Sequence, residues 1–167
     1  PNAEMRRLAK LLVPNAQFFD SLPKLLQEID FDCLVVATPN FRHLTDLYMI
    51  LQFVTKPILI EKPIATSFED TLKLIELSKK YEAPIWVAME YRYMPALQSF
   101  IKQEKFATGG VKMLSIREHR FPFLKKVDNW NRFNKFTGGT FVEKCCHFFD
   151  LMRLIIGSNP LQIMASG

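Results

Sequence analysis

Two stretches of the chain hold residue types that could do acid-base chemistry. The first is Glu61-Lys62-Pro63, which follows directly on the apolar run Ile58-Leu59-Ile60. A lysine at the end of a buried strand puts a positive charge into whatever cleft opens there, and its pKa moves readily once water is removed. A surface lysine before a loop proline is the plainer alternative, and Pro63 could follow a cis bond, which occurs at X-Pro. The second stretch holds Glu143, His147 and Asp150, spaced so that all three fall on one stripe of a helix. Histidine titrates near neutral pH and serves as general base or acid, and neighbouring carboxylates would orient its ring. An ordinary helix with an i,i+4 pair has the same spacing. Cys145-Cys146-His147 is not expected to bind metal, because consecutive helical residues point about 100° apart and cannot converge on one ion. Trp130 and the aromatics around it fit a sugar-binding cleft and a core equally well.

The elements that would carry these residues follow from hydrophobic spacing. Helical periodicity runs over residues 4–13 and 21–29 and again over 43–53. Between them, 33–37 is a short continuous apolar run closed by Thr38-Pro39-Asn40, and 58–60 and 85–88 are two more such runs. Continuous rather than alternating hydrophobicity predicts strands buried on both faces of a parallel sheet. A helix with Ser67 as N-cap and Asp70 at the capping-box position separates the last two strands and ends near Tyr81. The alternation predicts an α/β fold with helices on the sheet's faces, and ligands in such folds bind at the carboxyl ends of the strands. After Tyr91 the rhythm changes. A helix over 95–105 is followed by a half-exposed antiparallel strand over 111–120, a long functional loop over 121–137, one helix over 140–156 and a strand over 161–165. The expected organisation is therefore two parts, residues 1–91 with a parallel sheet and residues 92–167 with a mixed or antiparallel sheet.

Composition narrows the classes. Of 167 residues, 49% are hydrophobic and 23% charged, which is ordinary for a globular protein. The net charge of +5 is scattered, with its densest run from His119-Arg120 to Lys125-Lys126, and points to a solvated surface before a phosphate-bearing cofactor, with nucleic acid not expected as a partner. Cys33, Cys145 and Cys146 suggest no disulfide framework and fit a cytoplasmic location. No apolar run is long enough to span a bilayer, so no membrane association is expected. Pro1 at one end, and Ser166-Gly167 just after an apolar run at the other, give the expectation that the chain is part of a longer protein.

Four pieces in register carry a resemblance: Leu34 to Asn40 with His43, Glu61-Lys62-Pro63, Tyr91-Arg92 with Pro95, and Gly138-Gly139 leading to His147-Phe148-Phe149-Asp150. Together they resemble the glucose-fructose oxidoreductase and inositol dehydrogenase family, Gfo/Idh/MocA. The resemblance implies part of a Rossmann domain followed by part of an α/β C-terminal domain whose sheet face builds homo-oligomers. It implies a cofactor, NAD or NADP, bordered by Thr38, Pro39, Asn40, His43, Glu61 and Lys62. It makes Lys62, His147 and Glu143 the catalytic set, with His147 as base, and gives Arg92, Trp130 and Asp150 to the substrate. The Gly-rich phosphate loop and the acidic residue that usually closes the second strand are absent from this sequence. Where the family commonly has Asp four residues before the histidine, this chain has Glu143 followed by Lys144.

The activity so implied is hydride transfer between NAD(P) and a secondary alcohol of a sugar, inositol or other polyol. The rival expectation is a non-catalytic ligand-binding or assembly protein that keeps the dehydrogenase fold.

Overall fold

The computed structural model describes residues 2–119, 121 and 124–166. The last residue of the strand expected over 111–120, two positions of the expected loop (Pro122 and Phe123) and part of the dense charge run lie outside the described residues.

Local signals set the helix starts. Asn2 accepts hydrogen bonds from the backbone of Glu4 and Met5 at 3.0 and 3.1 Å and opens α1 (Ala3–Leu12). Ser21 caps α2 (Leu22–Glu28), with a proline in its first turn. Strand β1 (Leu34–Val36) leads through a 3-10 turn at Asn40–Arg42 into α3 (His43–Phe53). Strand β2 (Ile58–Ile60) precedes α4 (Phe68–Lys80), whose cap Ser67 accepts the Asp70 backbone N–H at 3.1 Å. Strand β3 (Ile85–Val87) completes the first part.

The three strands are parallel and in sequential order, with Leu34, Ile58 and Ile85 side by side, then Val35, Leu59 and Trp86, then Val36, Ile60 and Val87. Side chains alternate across a strand, so the first and third rows share a face. That face joins Leu26 of α2, Leu47 and Ile50 of α3 and Leu74 of α4 in one core. The middle row turns the other way and stays open: Val35 is 61% exposed and Trp86 56%. The strands, expected to be buried on both faces, are covered on one, because α2, α3 and α4 all contribute to the same core. The apolar stripe of α1 is likewise exposed at Leu11 and Leu12.

The second part departs further from expectation. After α5 (Pro95–Thr108), residues 111–119 form no strand, and neither do the described residues of 161–166. A strand exists only against a hydrogen-bonded neighbour, and the one sheet among the described residues is the parallel one. The expected loop contains a 3-10 segment, Val127–Arg132, interrupted by Asp128 and Asn129 at φ 54° and 52°, and the short α6 (Asn134–Thr137). Asn131 is buried and holds this segment closed. Its side chain accepts from the Lys126 N–H at 3.2 Å and donates to the Leu124 carbonyl at 2.9 Å.

The single helix expected over 140–156 is two helices, α7 (Thr140–Glu143) and α8 (Cys146–Ile156). At the break the Cys145 N–H reaches back to the Thr140 carbonyl, at 3.2 Å, and the His147 N–H bonds Lys144 rather than Glu143. Gly138 sets the approach to this break. Its φ is +77°, and a Cβ there would lie 2.8 Å from both the Thr66 carbonyl oxygen and Val142 Cγ1. Only glycine fits both that backbone conformation and that space.

Candidate functional site

The carboxyl ends of the three strands collect most of the residues singled out above. After β1, Thr38 is exposed, Pro39 half-buried and Asn40 buried. His43 opens α3 and is fully buried; its Nδ1 lies 2.8 Å from the Pro63 carbonyl oxygen and its Nε2 3.0 Å from that of Thr38. The ring thus ties the turn after β1 to the turn after β2. One helical turn on, buried Asp46 pairs with Arg42 at 2.9 Å. The Lys62-Pro63 bond is cis. Glu61 is exposed, and its N–H bonds the Val36 carbonyl at 2.9 Å.

Lys62 is half-buried and crosses from the sheet to the second part: its Nζ donates to the Glu143 carbonyl oxygen at 3.1 Å. That oxygen belongs to the last residue of α7, where helix carbonyls lack intrahelical partners. The break between α7 and α8 therefore frees the acceptor that receives the lysine. Beyond the break, Cys146 Sγ approaches the same carbonyl at 3.7 Å. Burial pushes the Cys146 thiol up, while the Lys62 charge pulls it down and the Glu90 charge pushes it further up. Lys62 and Glu90 thus both lie within electrostatic reach of the start of α8.

Next along α8, His147 is buried. Its ring stacks on Tyr91, 4.2 Å between centroids and 8° from parallel, and its Nε2 lies 3.4 Å from Glu90 Oε1. Glu90, Tyr91 and Arg92 share the 3-10 turn Glu90–Tyr93 that follows β3. Arg92 and Asp150, both expected at a substrate, bind each other: Nε and a terminal nitrogen of the guanidinium donate to the two carboxylate oxygens at 2.6 and 2.5 Å. This forked pair ties the turn after β3 to α8 and raises the arginine's pKa further.

Glu143, expected to partner His147, sits across the helix break. Burial raises its carboxyl pKa, and the charges that oppose the shift are Lys62, Lys144 and Lys126. Trp130 is half-buried and meets Phe41 edge-on, with centroids 6.0 Å apart; Phe41 also packs on Phe136 at 4.7 Å. The aromatic segment is therefore folded against the turn that holds Asn40.

Sequence reasoning missed Glu90. The signal was available, since Glu90 lies just beyond the carboxyl end of β3, where the parallel-sheet rule puts ligands. A surface groove of about 570 Å³ between α3 and α4 does not contain these residues. It lies toward the opposite end of the sheet, near Tyr81, whose hydroxyl donates to the Lys56 carbonyl at 2.7 Å and accepts the Lys56 N–H at 2.8 Å. Convergence of titratable groups, not groove size, marks the carboxyl-end cluster as the candidate site. The residues there suit a nicotinamide cofactor in one visible respect: the buried Asn40 Nδ2 has no hydrogen-bond partner among the described residues, a donor left over at a strand's carboxyl end. Among the described residues, no helix is long and apolar enough to cross a membrane.

Comparison with known proteins agrees with this geometry. Residues 3–89 match the model of the oxidoreductase family, NAD-binding Rossmann fold, and residues 99–166 match that of its C-terminal alpha/beta domain. Inositol 2-dehydrogenase of Rhizobium meliloti (strain 1021) is 28% identical over 138 residues, covering 82% of this chain and 40% of its own length. Inositol 2-dehydrogenase of Corynebacterium glutamicum (strain R) is 25% identical over 164 residues, covering 98% of this chain and 46% of its own. The chain thus spans less than half the length of these relatives. Two solved structures share the fold. Myo-inositol 2-dehydrogenase from Lactobacillus plantarum has a TM-score of 0.73 at 16% identity, over 95% of this chain and 47% of that one. The WlbA dehydrogenase from Bordetella pertussis, in complex with NADH and UDP-GlcNAcA, has 0.69 at 21%, over 93% and 45%. The chain belongs to the Gfo/Idh/MocA oxidoreductase family, of which it carries residues matching both the NAD-binding Rossmann domain and the C-terminal alpha/beta domain.

Proposed function

We propose that the protein is a dehydrogenase that oxidises a secondary alcohol of a sugar, inositol or other polyol, or reduces the matching ketone, with NAD or NADP. The observation that carries this reading is the 3.1 Å contact from Lys62 Nζ to the Glu143 carbonyl, which brings the lysine after β2 against the helix break from which His147 starts. Thr38, Pro39, Asn40, Glu61 and Lys62 would border the cofactor, with His43 behind them holding the turns after β1 and β2 that carry them. When bound, the nicotinamide accepts a hydride from the alcohol carbon or returns it to the ketone.

The chain's own residues supply the rest. Lys62 donates from Nζ to the substrate oxygen and so opposes the negative charge that develops there as the O–H bond breaks. His147 accepts the hydroxyl proton on its imidazole ring, whose Nε2 faces Glu90. In the reverse direction the same groups run backwards: His147 returns the proton and Lys62 holds the ketone oxygen. Tyr91, stacked on the imidazole, keeps the ring's plane fixed. Trp130 fits an edge of the substrate cleft through its contact with Phe41. We also propose residues 1–91 and 92–167 as the two domain portions, and a homo-oligomer built through the C-terminal sheet.

The test is Lys62→Met in the protein at its natural length, assayed for NAD(P)H formation across a panel of cyclitols and sugars. The reading expects turnover to fall by about 10²- to 10⁴-fold, the usual worth of a positioned acid-base group. An unchanged rate would refute the lysine's role.

A further inference from the structure

We propose that Glu90 is the positioning residue for His147: its carboxylate stabilises the protonated ring and carries the proton out to water, the part the sequence pattern would give to Glu143. This rests on the reading of His147 as the base.

The helix break argues against Glu143. Spacing of four residues brings two side chains together only on a continuous helix, and here α7 stops at Glu143 and α8 starts at Cys146. The charges acting on the Glu143 carboxyl are three lysines, Lys62, Lys144 and Lys126. Glu143 therefore answers to the lysine side of the site, through its carbonyl and its carboxyl alike.

Glu90 reaches the ring. Its Oε1 is 3.4 Å from His147 Nε2. Side-chain exposure falls from 58% at Glu90 to 2% at His147, so the pair runs from solvent to a buried ring. Two further contacts hold it in register. Tyr91, next to Glu90, stacks on the imidazole, and Arg92, two residues on, forks onto Asp150, three residues after His147. Lys62 from the end of β2, Glu143 from α7 and Cys146 also meet at the start of α8, which carries the ring. The proton count closes simply. The hydroxyl proton passes to the imidazole as hydride leaves the alcohol carbon for the oxidised nicotinamide. The imidazolium N–H then faces the Glu90 carboxylate, which takes the proton and releases it to water. In ketone reduction the path is reversed.

The test uses the protein at its natural length, with ring-¹⁵N-labelled histidine, and follows the His147 titration by NMR in the wild type and in Glu90→Gln, Glu90→Asp and Glu143→Gln. A half-exposed carboxylate at this distance should be worth a modest amount. Glu90→Gln is therefore expected to raise the acid dissociation constant of the His147 imidazolium by about three- to tenfold, Glu90→Asp to recover part of the shift, and Glu143→Gln to change it by less than Glu90→Gln. In the kinetic pH profile, the limb that reports His147 should move with Glu90→Gln by the same factor. The proposal is overturned if Glu143→Gln moves the titration more than Glu90→Gln does, or if Glu90→Gln moves neither titration nor profile. A Glu90→Gln shift in a protein that transfers no hydride to any substrate overturns the dehydrogenase reading, and with it the pair's part in catalysis. Hydride transfer with an unmoved titration overturns this proposal alone.

Discussion

Replacing Asp150 with Asn keeps the size of the side chain and removes the charge that Arg92 grips. In the native structure both carboxylate oxygens accept from the guanidinium, at 2.6 and 2.5 Å, and the two side chains are 12% and 37% exposed. A hydrogen bond to a charged group is worth about 1.5–3 kcal/mol net when buried, and loss of one partner of a buried pair costs about 3–5 kcal/mol. Arg92 keeps some water, so its orphaned charge is partly relieved, and the expected loss is about 2–3 kcal/mol. Urea unfolding at fixed pH measures it. A cycle with Arg92→Gln and the double variant separates the pair from its surroundings, with a coupling of about 1.5–3 kcal/mol expected. Because the pair docks α8 against the turn after β3, the change should also loosen the stack of Tyr91 on His147. A loss below about 0.5 kcal/mol, or a coupling near zero, would refute the reasoning that this pair locks α8 to the turn after β3.

Gly138→Ala should destabilise the protein by about 2–4 kcal/mol, combining a positive φ with a Cβ 2.8 Å from the Thr66 carbonyl oxygen; the same urea titration checks it. His147→Asn should cost activity most at the acid end of the pH profile, where hydroxide is scarce; a loss equal at every pH would make His147 a positioning group instead. Burial raises the Glu143 carboxyl above its ordinary 4.5. The folded state then binds this proton more tightly than the unfolded state, so the contribution is full below about 4.5 and is lost as pH rises through the raised native value. Glu143→Gln should flatten unfolding stability across that window, and an unchanged slope between about pH 4 and 7 would contradict the assignment.

Much of the first part was legible because its signals are local. Ser67 needed only its own hydroxyl and the Asp70 N–H to start α4, and the apolar runs at 34–36, 58–60 and 85–87 needed only their length and flanking turns to read as strands. What covers a strand is not local. Continuous hydrophobicity in Leu34-Val35-Val36 implied two covered faces, yet Val35 faces open space among the described residues. The residues at 111–119 alternate as a strand should, but pairing depends on a neighbour that periodicity cannot supply. In the candidate site, Lys62 and His147 stood out by type and spacing. What spacing did not show at Glu143 is the helix break: the i,i+4 rule assumes an unbroken helix, and nothing in Thr140 to Ile156 announces the break at Lys144 and Cys145 as Gly138 announces the turn before it. Arg92 and Asp150, 58 residues apart, form a contact that no spacing rule reaches.

The most direct test of the central claim is spectrophotometric: the protein at its natural length is mixed with NAD or NADP and a panel of cyclitols, sugars and polyols, and the rise of reduced nicotinamide absorbance is followed. The account predicts substrate-dependent reduction that Lys62→Met and His147→Asn each suppress. Tight binding of a sugar or polyol with no reduction of either nucleotide, in the wild type as in the variants, would contradict it and leave a binding protein on a dehydrogenase fold.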